Sequence, residues 1–118
     1  MFVSWSCAPK SNPDDREFFT SEDHAVDVAF DWSVDLNGDP IIVFRDDVQW
    51  MEVTAWFMIA FVTPKSKKAH NRFCNLMERN DECTVEQHRG DKVFLTSANG
   101  RNHFWVNLSS DKDWQIEF

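Results

Sequence analysis

At 118 residues, with a formal net charge of -8, 42% apolar and 14% aromatic residues, the chain suits one domain with one apolar core and is too short for two. Its acidity argues against a protein that grips nucleic acid or an anionic membrane through charge. Cys7, Cys74 and Cys83 form no CxxC pair and leave an odd count, which disfavours a secreted disulfide framework and fits a reducing cytoplasm.

The charge is uneven. Residues 1–64 carry 12 acids against three bases, Lys10, Arg16 and Arg45, while residues 65–118 carry eight acids against nine bases. The start, MFVSWSCAPK, lacks the basic region and long apolar run of a signal peptide, which again points to the cytoplasm.

In chain order, Val3, Trp5 and Cys7 alternate with Ser4 and Ser6, which predicts a short N-terminal strand. The stretch SNPDDREFFTSEDH, with Pro13 and an acidic cluster, reads as a loop or a single helical turn. An aspartate then recurs at every fourth position: Asp27, Asp31, Asp35 and Asp39. On a helix these would stack at i, i+4, where like charges repel by about 0.2–0.5 kcal/mol per pair, among valines that are poor helix formers. Period two instead collects Val26, Val28, Phe30, Trp32, Val34 and Leu36 on one face and Asp27, Ala29, Asp31, Ser33 and Asp35 on the other. Followed by Asn37-Gly38, this alternation predicts a β-hairpin with an acidic outer face, Trp32 near Phe44, Val34 near Ile42 and Asp31 beside Arg45. A calcium loop with Gly38 at its sixth position would need an acid at Ser33 and a glutamate at Phe44, and is rejected.

Residues 48–62 are rich in Val, Trp, Phe and Thr and read as one long strand, with Met51, Val53, Ala55, Phe57, Ile59 and Phe61 on one face. A buried helix starting at Asp46 or Asp47 is the alternative. After Pro64, Ala69, Phe73, Leu76 and Met77 recur at helical spacing behind Ser66, a fitting N-cap, so a helix is predicted over residues 66–79. Lys65, Lys67, Lys68, Arg72 and Arg79 are expected to sit in solvent and pair with carboxylates. Four short strands follow, over residues 84–88, 93–97, 103–108 and 114–118. Asn99-Gly100 would turn one hairpin, with Leu95 opposite Phe104 and Phe94 opposite Trp105. The sum is one α+β domain over residues 1–118: a mostly antiparallel, curved sheet of about five to seven strands, with one main helix packed on one face.

No reaction is legible. His24, His70, His88 and His103 sit in no ligand spacing, and His70 with Cys74, Cys83 and His88 is a weak tetrahedral candidate, so neither a metal nor another cofactor is expected. There is no GxSxG and no glycine-rich phosphate loop. Twenty acids supply carboxylate pairs by abundance alone, which empties pairing of catalytic meaning.

What remains is the acidic surface. On a strand, alternate side chains lie about 6.5–7 Å apart, close to the phosphate repeat of a nucleic-acid strand. Asp27, Asp31 and Asp35, with Asp39, Asp46 and Asp47 at the hairpin ends, are therefore the candidate partner-binding residues. The expectation is a non-enzymatic acidic interaction protein of the inhibitor, immunity or antitoxin kind, a DNA mimic by analogy of charge and size. It would bind a basic protein surface, such as that of a nuclease or another nucleic-acid-binding protein, without direct contact to nucleic acid or membrane. The alternative is a small-ligand-binding or catalytic domain with an aromatic pocket of Trp32, Trp50, Trp56, Phe57 and Trp105.

Overall fold

The computed structural model describes residues 3–79, 83–89, 92–97 and 103–108. In chain order the elements are β1 (Trp5–Pro9), β2 (Glu17–Phe19), α1 (Glu22–Asp35), β3 (Ile41–Arg45), β4 (Val48–Ala55), β5 (Ile59–Pro64), α2 (Lys67–Arg79), β6 (Cys83–Arg89), β7 (Lys92–Ser97) and β8 (His103–Leu108). The strands form one open sheet in the order β2-β1-β3-β4-β5-β8-β7-β6. Every neighbouring pair is antiparallel except β5 with β8. The α+β class and the mostly antiparallel sheet are those predicted; among the described residues the strands number eight and the helices two.

The additional helix is α1, and it corrects the predicted acidic hairpin strand. It buries Ala25, Val26, Ala29, Phe30 and Ser33, and the small residues at i, i+4 let its backbone approach the sheet closely. Apolar burial of this kind, worth about 1.5–3 kcal/mol for a large side chain, outweighs the few tenths lost to each aspartate pair and to each valine. Ser21 caps the start, its side chain accepting from the His24 N–H at 3.3 Å, with Glu22 and Asp23 in the first turn. At the far end the Gly38 N–H donates to Ser33 O (2.8 Å) and the Asn37 N–H to Val34 O (3.0 Å), the two bonds of a Schellman motif. Asn37 and Gly38 do adopt positive φ, 58° and 92°, but they end a helix rather than turn a hairpin. The expected neighbours Trp32 and Phe44, Val34 and Ile42, and Asp31 and Arg45 are therefore not cross-strand pairs.

The hairpin that does form here joins β3 to β4, with Arg45 opposite Val48. Asp46 (φ 51°) and Asp47 (φ 65°) supply the two positive φ values of a type I′ turn, which aspartate tolerates better than most residues. Residues 48–62 are extended, but not as the one long strand predicted: Trp56, Phe57 and Met58 turn the chain between β4 and β5, the Trp56 N–H donates to Ile59 O at 2.8 Å, and Ala60 and Val62, in place of Ile59 and Phe61, share the face of Val53 and Ala55. A register shift opposite Val43 and Phe44 leaves Trp50 as the extra residue on β4, so Trp50 and Met51 are both buried.

Helix α2 follows its prediction. Ser66 Oγ accepts from the Ala69 N–H at 3.0 Å, and Ala69, Phe73 and Met77 are buried. The β7–β8 register pairs Leu95 with Phe104 and Phe94 with Trp105, as the sequence indicates; Asn99-Gly100 and residues 114–118 lie outside the described residues. Both helices lie on one face of the sheet, where Phe30 meets Phe73 (ring centroids 6.4 Å) and Phe104 (5.4 Å). On the other face Ala8, Ile42 and Phe44 form a small separate cluster, with the Arg16 guanidinium 4.1 Å from the Phe44 ring centroid.

Gly38 joins the end of α1 to the β4–β5 turn. Its φ of 92° disfavours a side chain, and a Cβ there would collide with the Trp56 indole. Gly38→Ala is expected to cost about 1–3 kcal/mol, from backbone strain together with displacement of Trp56. Denaturant midpoints, with tryptophan emission reporting the displacement, check this.

Candidate functional site

The site is built on α1, whose residues fall into four series at i, i+4. Ala25, Ala29 and Ser33 are buried, Val26 and Phe30 are buried with Val34 beside them, and Val28 and Trp32 are half-buried. Asp27, Asp31 and Asp35 form the remaining series and point away from the core, Asp35 being exposed. At 100° per residue this acidic stripe lies opposite the buried arc. Asp35 also stands in the last turn, which holds no basic residue, at the negative end of the helix dipole.

The six candidate aspartates do not make one row. Asp27, Asp31 and Asp35 share the helix stripe. Asp39 follows the helix and its Oδ2 accepts from Ser11 Oγ at 2.8 Å. Asp46 and Asp47 lie at the opposite end of β3, where Asp46 Oδ1 accepts from the Ser4 N–H (2.8 Å) and Asp47 pairs with Arg16 (2.6 Å). Those two serve the turn and the N-terminal segment.

Two acids that the sequence reading did not single out join the stripe. Asp15 and Glu17, the latter on β2, line an open cleft of about 320 Å³ with Val28, Asp31, Trp32 and Asp35. Four carboxylates thus surround a floor of valine and tryptophan. An acidic rim over an aromatic floor suits the ammonium or guanidinium group of a basic side chain, which gains from both charge and the ring face. The cluster DDREFF was the available signal, but only pairing of β2 with β1 brings it beside α1.

The helix is held in place from beneath. Glu22, 7% exposed, accepts from Trp50 Nε1 on Oε2 (3.0 Å) and from Arg72 Nε and Nη2 on Oε1 (3.1 and 2.8 Å). Ser33 Oγ donates to Asp39 O (2.9 Å) and accepts from the Ala55 N–H (2.8 Å). These bonds fix α1 to β4 and α2 and so aim the aspartates outward. Among the basic residues expected in solvent, Arg72 has this buried partner and Lys65 pairs with Glu52 at 3.9 Å.

The five aromatics of the pocket alternative are dispersed. Trp50 is closed in the core, Trp32 floors the acidic cleft, Trp56 and Phe57 are exposed at the β4–β5 turn, and Trp105 lines a hollow on the helix-free face with Ile59, Lys92 and Asn107.

His70 Nε2 and Cys74 Sγ lie 3.9 Å apart. Burial first, and Glu78 second, raise the Cys74 pKa. Among the described residues no three His, Cys, Asp or Glu side chains converge as metal donors; the side chains of Cys83 and His88 lie outside that set. Cys7 is pushed up to about 12, by burial and then by Glu17. Native protein should therefore lose stability as pH climbs from about 9 towards 12, since the unfolded thiol ionises there and the folded one does not. Alkaline denaturation midpoints of wild type and Cys7→Ala, with the mutant's slope shallower, check this.

Compared with protein-family models, curated proteins and solved structures, the chain matches none. Among the described residues no helix is long and apolar enough to cross a membrane.

Proposed function

We propose that this is a non-enzymatic acidic interaction protein, of the inhibitor or immunity kind, that binds a basic protein surface through the outer face of α1. Its working compartment on this reading is the cytoplasm, in keeping with the unpaired Cys7 and Cys74. The observation that carries the reading is the acidic cleft: Asp31 and Asp35 of α1 meet Asp15 and Glu17 over Val28 and Trp32. Folding alone does not favour this arrangement. Stacked aspartates repel, and Asp35 opposes the helix dipole at a cost of about 0.3–1 kcal/mol. Like charges gathered beside an exposed aromatic side chain are expected of a binding surface. The partner meant is a basic protein such as a nucleic-acid-binding enzyme, whose cationic cleft the carboxylates would occupy in place of phosphates.

The test is a triple variant, Asp27→Asn, Asp31→Asn and Asp35→Asn. Its unfolding free energy is expected to change by no more than about 1 kcal/mol. The wild-type protein, used as bait in an extract of its own cells, should retain a basic protein identifiable by mass spectrometry, and the triple variant should not. Equal retention of that protein by both baits would refute the assignment, and a large loss of stability would show the aspartates to be structural.

A further inference from the structure

An apolar surface adjoins the acidic one and faces solvent. Phe57 (64% exposed), Met58 (56%), Leu36 (42%), Trp56 (40%) and Phe61 (39%) are the large apolar side chains concerned. Trp56 is central to the set: its indole lies against Gly38, close to Leu36 and Asp39 in the chain, its ring meets Phe61 edge-on at 6.0 Å between centroids, and Phe57 and Met58 follow it in the turn. Beyond Phe61 the helix-free face continues into a hollow of about 300 Å³ lined by Ile59, Lys92, Trp105 and Asn107. Adjacent apolar groups of this size on a small protein mark a contact surface more often than chance exposure does.

Charge identifies what covers it. Leu36 and Gly38 stand between Asp35 and Asp39 in the chain, so the aromatic turn packs directly on the end of the acidic stripe. The half-exposed series Val28, Trp32 and Leu36 runs along that stripe towards the turn. A second copy of this chain, itself carrying a net charge of -8, would bring like charges together, and an anionic membrane would be repelled in the same way. A basic partner with apolar side chains matches both halves of the surface.

We infer that the partner docks an amphipathic basic segment, its lysines or arginines against the aspartates of α1 and its apolar side chains on Leu36, Trp56, Phe57 and Met58. Lys92, exposed on the far side, sets the direction: the segment's basic residues lie towards α1 and not towards β7. This deepens the function proposed above and rests on it. Charge governs encounter there, while the apolar contact supplies residence and selectivity among basic partners.

Two labelled peptides serve as probes: an amphipathic helix of lysine and leucine, and the same sequence with glutamine at each leucine. Fluorescence anisotropy on the full chain should show the leucine peptide binding about tenfold or more tightly than the glutamine peptide. The double variant Phe57→Ser with Met58→Ser, altering two solvent-facing positions, should lose that preference and still bind the glutamine peptide as wild type does. Met58→Lys is a second, single variant: its charge weakens both peptides alike, and the loss of an apolar seat should narrow the preference for the leucine peptide. Equal affinity of wild type for both peptides, or a preference that survives both variants, would overturn the inference while leaving the acidic site intact. Failure to bind either peptide would overturn both. Sedimentation showing a dimer, or flotation with phosphatidylcholine vesicles, abolished in the double variant would assign the surface to a second copy or to lipid and overturn the inference as well.

Discussion

Phe30→Ala should lower the unfolding free energy by about 3–5 kcal/mol, the range for removing a buried aromatic ring. Phe30 is 3% exposed and touches Phe73 of α2 and Phe104 of β8, so one ring joins both helices to the sheet. The cavity is bounded by a second helix and a strand and has little room to collapse, which places the loss in the upper part of that range. Most of a small domain's stability is of this size, and the variant should be partly unfolded at ordinary temperature. Phe30→Leu, which restores most of the volume, should recover more than half of the loss. Chemical denaturation with an unchanged m-value would attribute the effect to the folded state.

Glu22→Ala should cost about 2–4 kcal/mol. The carboxylate accepts three hydrogen bonds inside the protein, and its removal leaves the Trp50 indole N–H buried without that acceptor, at about 1–3 kcal/mol. Arg72 contributes less, because its side chain is 51% exposed and regains water when the partner goes. Glu22→Gln keeps an acceptor for Trp50 and should fall between wild type and alanine. Because Glu22 ties the start of α1 to β4 and α2, Glu22→Ala should also weaken partner binding beyond what its charge explains. Denaturation of wild type and the two variants, alongside affinity for the glutamine peptide at fixed salt, separates the two effects.

The strands were legible because their signals are local. Val, Ile, Trp and Phe at period two place β3, β7 and β8 and mark residues 48–62 as extended, though not the turn that divides β4 from β5, and the alternation of Leu95 and Phe94 against Phe104 and Trp105 sets the register of one antiparallel pair. The α2 helix was legible through Ser66 and the spacing of Ala69, Phe73 and Met77. Helix α1 was not, for a definite reason. A pattern that repeats every four residues satisfies period two and, over three turns, also the 3.6 period of a helix. Ala29 and Ser33 break the tie, since a strand places them with the aspartates in solvent and the helix buries both. Their small size is the mark of close packing. Asn37-Gly38 gave the same ambiguity, because positive φ serves a helix end and a hairpin turn equally well.

The candidate site was legible in its charge and not in its shape. Asp27, Asp31 and Asp35 do share one face. Their neighbours are Asp15, just before β2, and Glu17 on β2, and the aromatic turn of Trp56, Phe57 and Met58 comes from the far end of β4; only the sheet order brings these together with α1. Asp46 and Asp47, acidic in the same degree, are taken up by the β3–β4 turn and its bonds to Ser4 and Arg16. Charge along the sequence does not distinguish an acid that turns a chain from one that faces a partner.

The most direct measurement is the salt dependence of affinity for the basic protein retained by the wild type, compared with the triple variant at Asp27, Asp31 and Asp35. Rim charges act through steering and are screened over about 10 Å at 0.1 M ionic strength. The wild type should bind more tightly at low salt, associate faster, and weaken steeply as salt rises, while the variant should bind weakly with a shallow slope. Coincident curves for the two proteins, in affinity and in slope, would contradict the assignment of the α1 face as the binding surface.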